Sequence, residues 1–190
     1  MKKLVASAML GLSVVASAST ATKPAAAAAP IISWENLKAL QAGHKICMGV
    51  SGGPHNGRIN DGTHIIVWDC TLVTDQVFTV ASATQGEQIQ DQVPDPALHT
   101  MCLNDTGGTN DRGAQVTIAP CNGSSAQEFN QISVGSGCFL LQNVASGRVI
   151  GVANASANPV SDGMSVIMWD FNGSADQMWC PVAATSIPIS

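Results

Sequence analysis

A tryptophan followed at fixed spacing by an aspartate and a glutamine occurs twice in the chain, as Trp68, Asp75 and Gln76 and as Trp169, Asp176 and Gln177. The tryptophan of each set offers a flat apolar face for stacking, and its carboxylate and amide offer charged and neutral hydrogen-bond acceptors. The sequence holds no G-x-S-x-G or other nucleophile motif, and no CxxC or HxxxH spacing. These residue types favour ligand binding over catalysis and predict neither a bound metal nor a cofactor.

The two stretches belong to a pattern that occurs three times. Each copy places a glycine 14 residues before the glutamine, in the pairs Gly62 and Gln76, Gly113 and Gln127, and Gly163 and Gln177. The position eight residues before the glutamine is Trp68, Ala119 or Trp169. Because the spacing agrees at several offsets without gaps, the sequence indicates an internal triplication with a period near 50 residues.

Each repeat predicts about four short strands separated by turns. Apolar runs at 45–50, 100–105 and 148–153 precede the glycines, and segments 88–93 and 138–144 are weaker candidates for a fourth strand. A propeller needs at least about four blades to close. Three units of four strands therefore predict an all-β fold, a pseudo-threefold β-trefoil.

The glutamine of each repeat precedes an aromatic residue by two positions. Alternation along a strand puts both side chains on one side of the sheet, so Phe78, Phe129 and Trp179 are expected to be buried. At the entrance of the strand, the amide can tie down the neighbouring turn. A ligand contact from the same amide is compatible with this structural role.

The N-terminal segment predicts export. Residues 1–21 combine two lysines, an apolar run and small residues before a cleavage site after Ala21, which is typical of a signal peptide. An Ala/Pro-rich tether is predicted at 22–36, the folded domain at 37–185 and a short tail at 186–190. The six cysteines of an exported chain are expected to form disulfides.

Charge and hydropathy exclude several partners. The formal charge is −5, so the chain lacks the basic surface that nucleic acids and anionic lipids attract. After the signal segment, no unbroken apolar run reaches the roughly 18 residues that a membrane-spanning helix needs. We therefore expect no nucleic-acid partner and no membrane span.

Three Gln-x-(Trp/Phe) units in register, with "CMGV…VWDC…DQVF" inside the first, resemble the ricin B-type lectin domain, of the secreted bacterial type. The likeness extends over residues 37–185. The resemblance implies a β-trefoil that binds glycans or polysaccharide without catalysis.

In that family, an Asp on the first strand, an aromatic after the glycine and a polar residue before the glutamine form a shallow sugar site. The resemblance implies such sites in repeats one and three, at Trp68, Asp75, Gln76, Trp169, Asp176 and Gln177. Gly49 and Gly151 stand at the first-strand Asp position in these two repeats.

Repeat two has the opposite set of residues. Asn104, with Asp105 beside it, provides acceptors on the first strand, but Ala119 and Ala126 replace the aromatic and the second polar group. Asn104, Asp105 and Gln127 are therefore weaker candidates.

The repeat framework also predicts the disulfides Cys47–Cys70, Cys102–Cys121 and Cys138–Cys180. The first two link the upstream strand to the residue just past the aromatic position of the same repeat. Repeat three has Val149 and Phe171 at those positions, so its cysteines are expected to pair differently.

Two other functions fit the same fold. The chain could be the cell-targeting subunit of a multi-chain toxin, because accessory subunits of cytolethal distending toxins resemble ricin lectins with degraded sugar sites. A trefoil protease inhibitor is the other alternative, although inhibitors of the Kunitz soybean type lack three QxW units.

Overall fold

The computed structural model describes residues 29–53, 58–107, 112–155 and 157–184. The predicted signal peptide and the tail at 186–190 lie outside these residues. The described part contains twelve strands: β1 Ile31–Asn36, β2 Ile46–Val50, β3 Ile65–Asp69, β4 Phe78–Ser82, β5 Glu87–Asp91, β6 Met101–Asp105, β7 Val116–Pro120, β8 Phe129–Gly135, β9 Cys138–Asn143, β10 Val149–Val152, β11 Val166–Trp169 and β12 Trp179–Ala183.

Helices are few and short. The helix α1 spans Leu37–Gln41, and the Asn36 side chain caps it by accepting from the amides of Lys38 and Ala39. A single turn of 3-10 helix precedes the third strand of each repeat: η1 Thr74–Gln76 before β4, η2 Ser125–Gln127 before β8 and η3 Ala175–Gln177 before β12. The all-β prediction is confirmed.

The strands form six antiparallel hairpin-like pairs in a pseudo-threefold arrangement. The first two strands of each repeat pair as β2–β3, β6–β7 and β10–β11, and the later strands pair as β4–β5, β8–β9 and β12–β1. Strands β5 and β9 confirm the weaker candidates for the fourth strand. The last pair joins the two ends of the domain, because β1 supplies the strand that repeat three lacks.

The position of β1 corrects the predicted domain boundary. The sequence predicts a tether over residues 22–36, but the structure pairs β1 with β12, from Ile32 opposite Ala183 to Asn36 opposite Trp179. Trp34 in this strand is fully buried and contacts Phe139 edge-on, with ring centroids 6.5 Å apart. The folded domain therefore begins by Ile31, before the predicted start at residue 37.

Backbone hydrogen bonds around the pseudo-threefold axis join each repeat to a neighbour. The second strand of a repeat exchanges two bonds with the glycine turn of the preceding unit, counted cyclically. The pairs are Val67 with Gly163 and Met164, Ile118 with Gly62 and Thr63, and Met168 with Gly113 and Ala114. The donor–acceptor distances lie between 2.8 and 2.9 Å. The glycine of one repeat is thereby held beside the aromatic position of another.

The interior contains the predicted aromatic residues. Phe78, Phe129 and Trp179 are fully buried, and the Trp179 indole N–H donates to the carbonyl of Ile150 at 3.0 Å. The three predicted disulfides are present, with Cα–Cα distances of 4.8, 5.1 and 4.1 Å for Cys47–Cys70, Cys102–Cys121 and Cys138–Cys180. In the chain-entropy model, closing loops of this size stabilises a fold by about 3–4 kcal/mol each.

Candidate functional site

The glutamine of each repeat clamps the turn that follows the second strand. In repeat one, Gln76 Oε1 accepts from the amides of Thr71 and Leu72 at 2.9 and 3.0 Å, and Nε2 donates to the carbonyl of Asp69 at 2.8 Å. The Thr71 hydroxyl also donates to Oε1. The side chain is 1% exposed. The structural role predicted for this amide is confirmed.

The other two glutamines make equivalent bonds. Gln127 Oε1 accepts from the Asn122 amide and Nε2 donates to the Pro120 carbonyl, while Gln177 bonds in the same way to Asn172 and Asp170. Both side chains are buried. Their amides hold backbone groups, and a ligand contact by Gln76, Gln177 or Gln127 stays a prediction. Gln76 also lines the cavity of repeat one.

In repeats one and three, the carboxylate directly before the clamp glutamine fills space left by the first-strand glycine. A Cβ added at Gly49 would lie 3.8 Å from Oδ2 of Asp75 and 3.0 Å from Cγ of Gln76. At Gly151, the same atom would lie 3.6 Å from Oδ2 of Asp176. Repeats one and three therefore carry, on the 3-10 helix, an acceptor at the place where the resemblance expects one from the strand.

Repeat two has the polar residue on the first strand and a small apolar residue on the 3-10 helix. Asn104 faces Thr117 across the hairpin, in the register that Gly49 holds opposite Ile66 and Gly151 holds opposite Ile167. Its 3-10 helix has Ala126 where the other repeats have aspartate. Each of the three units thus carries one polar group at this point, on either the strand or the helix.

Repeat one contains a wide cavity beside Trp68. The cavity has a volume of about 530 Å³, and Gly49, Gly53, Trp68, Val73 and Asp75 are among its lining residues. Trp68 is 48% exposed, and its indole edge rests on the turn of another repeat, 3.8 Å from the place of a Cβ on Gly163. Burial raises the pKa of Asp75 above its ordinary value, against the opposing effect of a backbone hydrogen bond.

Repeat three has the same parts in a smaller space. Its cavity of about 170 Å³ is lined by Gly151, Asn154, Trp169 and Asp176, among others. Asp176 is 5% exposed, and the Ser174 hydroxyl donates a hydrogen bond to its carboxylate. The site therefore offers less room and a less accessible acceptor than repeat one.

A guanidinium covers the tryptophan of repeat three. Arg112 Cζ lies 4.1 Å from the centre of the Trp169 ring, in cation–π geometry. Its Nε is 3.4 Å from an oxygen of Asp170, whose other oxygen is 3.2 Å from Nε of Arg148. Sequence reasoning missed Arg112. The available signal was its position next to Gly113, in the turn that lies beside Trp169.

The weaker candidates of repeat two do not form an equivalent platform. Asp105 is buried, and its Oδ1 accepts from the Gly107 amide at 3.0 Å, so its role toward a ligand stays a prediction. Asn104 remains partly accessible. Ala119 provides no ring at the position of Trp68 and Trp169.

Membrane-spanning helices and metal-binding clusters are both absent from the described residues. In that part of the chain, no helix has both the length and the apolar character needed to cross a membrane. Within the same residues, no group of three or more His, Cys, Asp or Glu side chains is arranged to hold a metal ion.

Solved structures share this fold at low sequence identity. The designed threefold-symmetric protein ThreeFoil is similar with a TM-score of 0.67 and 20% identity, over 81% of this chain and 99% of that chain. The β-trefoil lectin of the Vibrio vulnificus hemolysin/cytolysin, with N-acetyl-D-lactosamine bound, gives 0.57 and 15%, over 84% and 98%. The Haemophilus ducreyi cytolethal distending toxin gives 0.58 and 14%, over 90% and 93%.

The family comparison agrees with the fold. No curated protein sequence matches the chain. The model of the ricin-type beta-trefoil lectin domain matches residues 34–179, a range that begins inside β1 and ends at the buried Trp179. With three Gln-x-aromatic clamps and the trefoil arrangement of its strands, the chain belongs to the ricin-type β-trefoil lectin family.

Proposed function

We propose that the chain is a secreted carbohydrate-binding protein with shallow sugar sites in repeats one and three, of which repeat one binds more strongly. The proposal rests on one observation above all. In both repeats, a tryptophan that is at least partly exposed shares a cavity with an aspartate that points toward the gap beside a first-strand glycine.

The geometry of repeat one fits a single sugar ring. The apolar C–H face of a pyranose would stack on Trp68, and its hydroxyls would donate to Asp75. A charged acceptor makes such a bond roughly twice as strong as a neutral one. Val73, which is half exposed at the edge of the cavity, adds apolar contact.

Each site is shallow, so affinity for one sugar is expected to be low. We expect a Kd on the order of millimolar, equivalent to about −4 kcal/mol. Repeats one and three contribute strands to one sheet, so we expect both sites to engage a multivalent glycan surface. Two linked weak sites raise the effective affinity by about 10²–10⁴-fold where the geometry permits.

Secretion is the second element of the proposal. Three disulfides in a domain of this size are typical of oxidising compartments. The N-terminal pattern of residues 1–21 is that of a signal peptide. Detection of the protein in culture medium, with its N-terminus near Thr22, would support this part.

The sugar is best identified on a glycan array, with N-acetyllactosamine as a first probe because the similar Vibrio lectin holds it. The responding oligosaccharide is then titrated into the wild-type domain, Trp68→Ala, Trp169→Ala and the double variant. Ile132→Ala is the matched control, because Ile132 is an exposed apolar residue outside both cavities. Loss of binding in the double variant but not in the control supports the proposal. Normal binding by the double variant, with loss in Asn104→Ala, would place the site in repeat two.

A second candidate is the targeting subunit of a multi-chain toxin. The observation that favours it is the similarity to the Haemophilus ducreyi toxin over 93% of that chain. Purification of the protein from the secretions of its producer distinguishes the two functions. A stable complex with an enzymatic chain would favour the toxin subunit, and a lone protein would favour the lectin. The family match gives the protease-inhibitor alternative no support.

A further inference from the structure

Three strands that are equivalent under the pseudo-threefold symmetry end in similar residues. Asn36 ends β1, Asp91 ends β5 and Asn143 ends β9. All three side chains are buried. Two positions are therefore amides, and the third is a carboxyl group of the same shape.

The two asparagines tie the 3-10 helices to the sheet. Asn36 Nδ2 donates to the carbonyl of Asp176 in η3 at 2.9 Å. Asn143 Nδ2 donates to the carbonyls of Ser125 and Ala126 in η2, at 3.3 and 2.9 Å. Asp176 and Ala126 are equivalent residues, each directly before its clamp glutamine. The same contact thus recurs in two of the three units.

The oxygen atoms of these asparagines also have a repeated role. Oδ1 of Asn36 accepts from the Lys38 amide at 3.1 Å, and Oδ1 of Asn143 accepts from the Ala145 amide at 3.0 Å. Asp91 reproduces this half of the pattern, because its Oδ1 accepts from the Val93 amide at 2.6 Å. In all three cases, the amide lies two residues after the strand end.

The other oxygen of Asp91 is the exception. Asp91 Oδ2 is buried and has no hydrogen-bond partner among the described residues. Because its Oδ1 matches the Oδ1 atoms of the two asparagines, Oδ2 corresponds to their Nδ2. In repeat one, the residue equivalent to Asp176 and Ala126, whose carbonyls accept from Nδ2, is Asp75 in η1. An ionised oxygen can only accept a bond, and a carbonyl can only accept one too. A proton on Oδ2 would turn this atom into the donor that the symmetry requires.

We propose that Asp91 holds a proton in the folded protein and, as a neutral carboxylic acid, positions η1 by donating a hydrogen bond from Oδ2 to its backbone. Asp91 is then the counterpart of Asn36 and Asn143. Because η1 carries Asp75, the residue fixes the acceptor of the repeat-one site, and this consequence rests on the proposed function.

The electrostatics of the site agree with a neutral Asp91. Burial raises the pKa of Asp91 to about 8, the amide of Val93 opposes this rise, and the negative charge of Asp75 adds to it. Ionisable groups on the elements packed against Asp91 are Asp75 in η1, Asp105 in β6, Glu87 in β5 itself, and Asp95 and His99 in the loop after β5. The described strands β4 and β8 carry none.

A proton held in the folded state makes stability depend on pH. In the unfolded chain, an aspartate titrates near pH 3.9. Between about pH 4 and about pH 8, the folded state therefore binds one more proton than the unfolded state, so stability falls as the pH rises through this range. Above about pH 8, Asp91 is ionised in both states and contributes no further change.

The direct test is a titration of the wild-type protein by carbon-13 NMR of the Asp91 carboxyl group. The proposal expects its midpoint near pH 8, and a midpoint near pH 4 overturns it. In the same series, the amide signals of Thr74–Gln76 are expected to shift with this midpoint, while those of Ala175–Gln177 stay fixed.

Asp91→Asn provides the second test, because it supplies the donor permanently. The difference in melting temperature between this variant and the wild type is expected to shift in favour of the variant as the pH rises from about 4 to about 8. The η1 amide signals of the variant should lose their pH dependence. Parallel melting curves for the two proteins would contradict the proposal.

Asn143→Asp is the matched variant, because it places a carboxyl group at the position from which Asn143 donates a hydrogen bond to η2. It is expected to acquire the same pH-dependent loss of stability, and a flat profile would refute the equivalence of the three positions. None of these readouts requires a sugar. Failure of glycan binding would therefore count against the proposed function and leave the role of Asp91 to be decided separately.

Discussion

Repeats one and three carry the same motif but present it differently. Trp68 is open to solvent beside a cavity of about 530 Å³, whereas Trp169 lies under Arg112 beside one of about 170 Å³. The difference comes from another repeat, because each tryptophan rests on a glycine turn that its own repeat does not supply. Arg112 precedes the turn glycine at Trp169, and Asp162 precedes the one at Trp68. Access to a site in this fold is therefore decided by the neighbouring unit.

The largest expected effect is the loss of stability when a clamp glutamine is replaced. Gln76 receives three hydrogen bonds and donates one, whereas Gln177 receives one and donates one. Since each bond contributes about 1 kcal/mol and buried partners would be orphaned, Gln76→Ala should cost about 3 kcal/mol and Gln177→Ala about 2 kcal/mol. Urea unfolding measures both, with the exposed Gln41→Ala as control. Equal losses of unfolding free energy in the two variants would show that the additional hydrogen bonds of Gln76 do not stabilise the protein.

Replacing the tryptophan of each proposed sugar site is expected to have the next largest effect. Trp68→Ala is expected to weaken binding of the responding oligosaccharide at least tenfold, equivalent to about 1.4 kcal/mol. Trp169→Ala should weaken it less, because Arg112 already covers that ring. Isothermal titration of both variants tests the order of the two sites. A larger loss in Trp169→Ala would reverse the comparison.

The turns before the clamps differ in backbone strain. Leu72 adopts a positive φ of 56°, where the equivalent residues of the other repeats are Gly123 and Gly173. A side chain in the left-handed region costs about 1 kcal/mol, so Leu72→Gly should stabilise the protein by up to that amount. Gly173→Leu is the reciprocal variant and should lose a similar amount. Thermal unfolding that moved both variants in the same direction would exclude this explanation.

The smallest expected effect on sugar binding comes from the Arg112 guanidinium that lies over Trp169. An exposed cation–π contact is worth about 0.5–1 kcal/mol. Arg112→Ala should therefore uncover the ring and strengthen repeat three a few-fold, while Asp162→Arg should cover Trp68 and weaken repeat one by a similar factor. Acrylamide quenching of tryptophan fluorescence follows the exposure of both rings. Unchanged quenching in both variants would mean that these residues do not control access.

The periodic features of the molecule could be predicted from the sequence. The glycine and glutamine spacing specified the trefoil, the buried aromatics and the clamps, because each repeats a local contact. The strand β1 escaped prediction because it precedes the first repeat and pairs with β12 at the other end of the domain. Its fit depends on a contact that no local pattern encodes.

The site was predicted only in part for the same reason. Trp68, Asp75, Trp169 and Asp176 line the two cavities, but the burial of Gln76 and Gln177 follows from their bonds to the turns. The cover provided by Arg112 arises between repeats, and the role of the buried oxygen of Asp91 emerges only from comparison with Asn36 and Asn143. Motif spacing within one unit contains no information on them.

The most direct measurement of the central claim is a proton–nitrogen NMR titration of the indole N–H groups with the responding oligosaccharide. The chain has four tryptophans, and the buried Trp34 and Trp179 serve as internal controls. The account predicts that the Trp68 signal shifts most, that Trp169 shifts less or at higher sugar concentration, and that the buried pair stays fixed. Binding that leaves both Trp68 and Trp169 unmoved would contradict it.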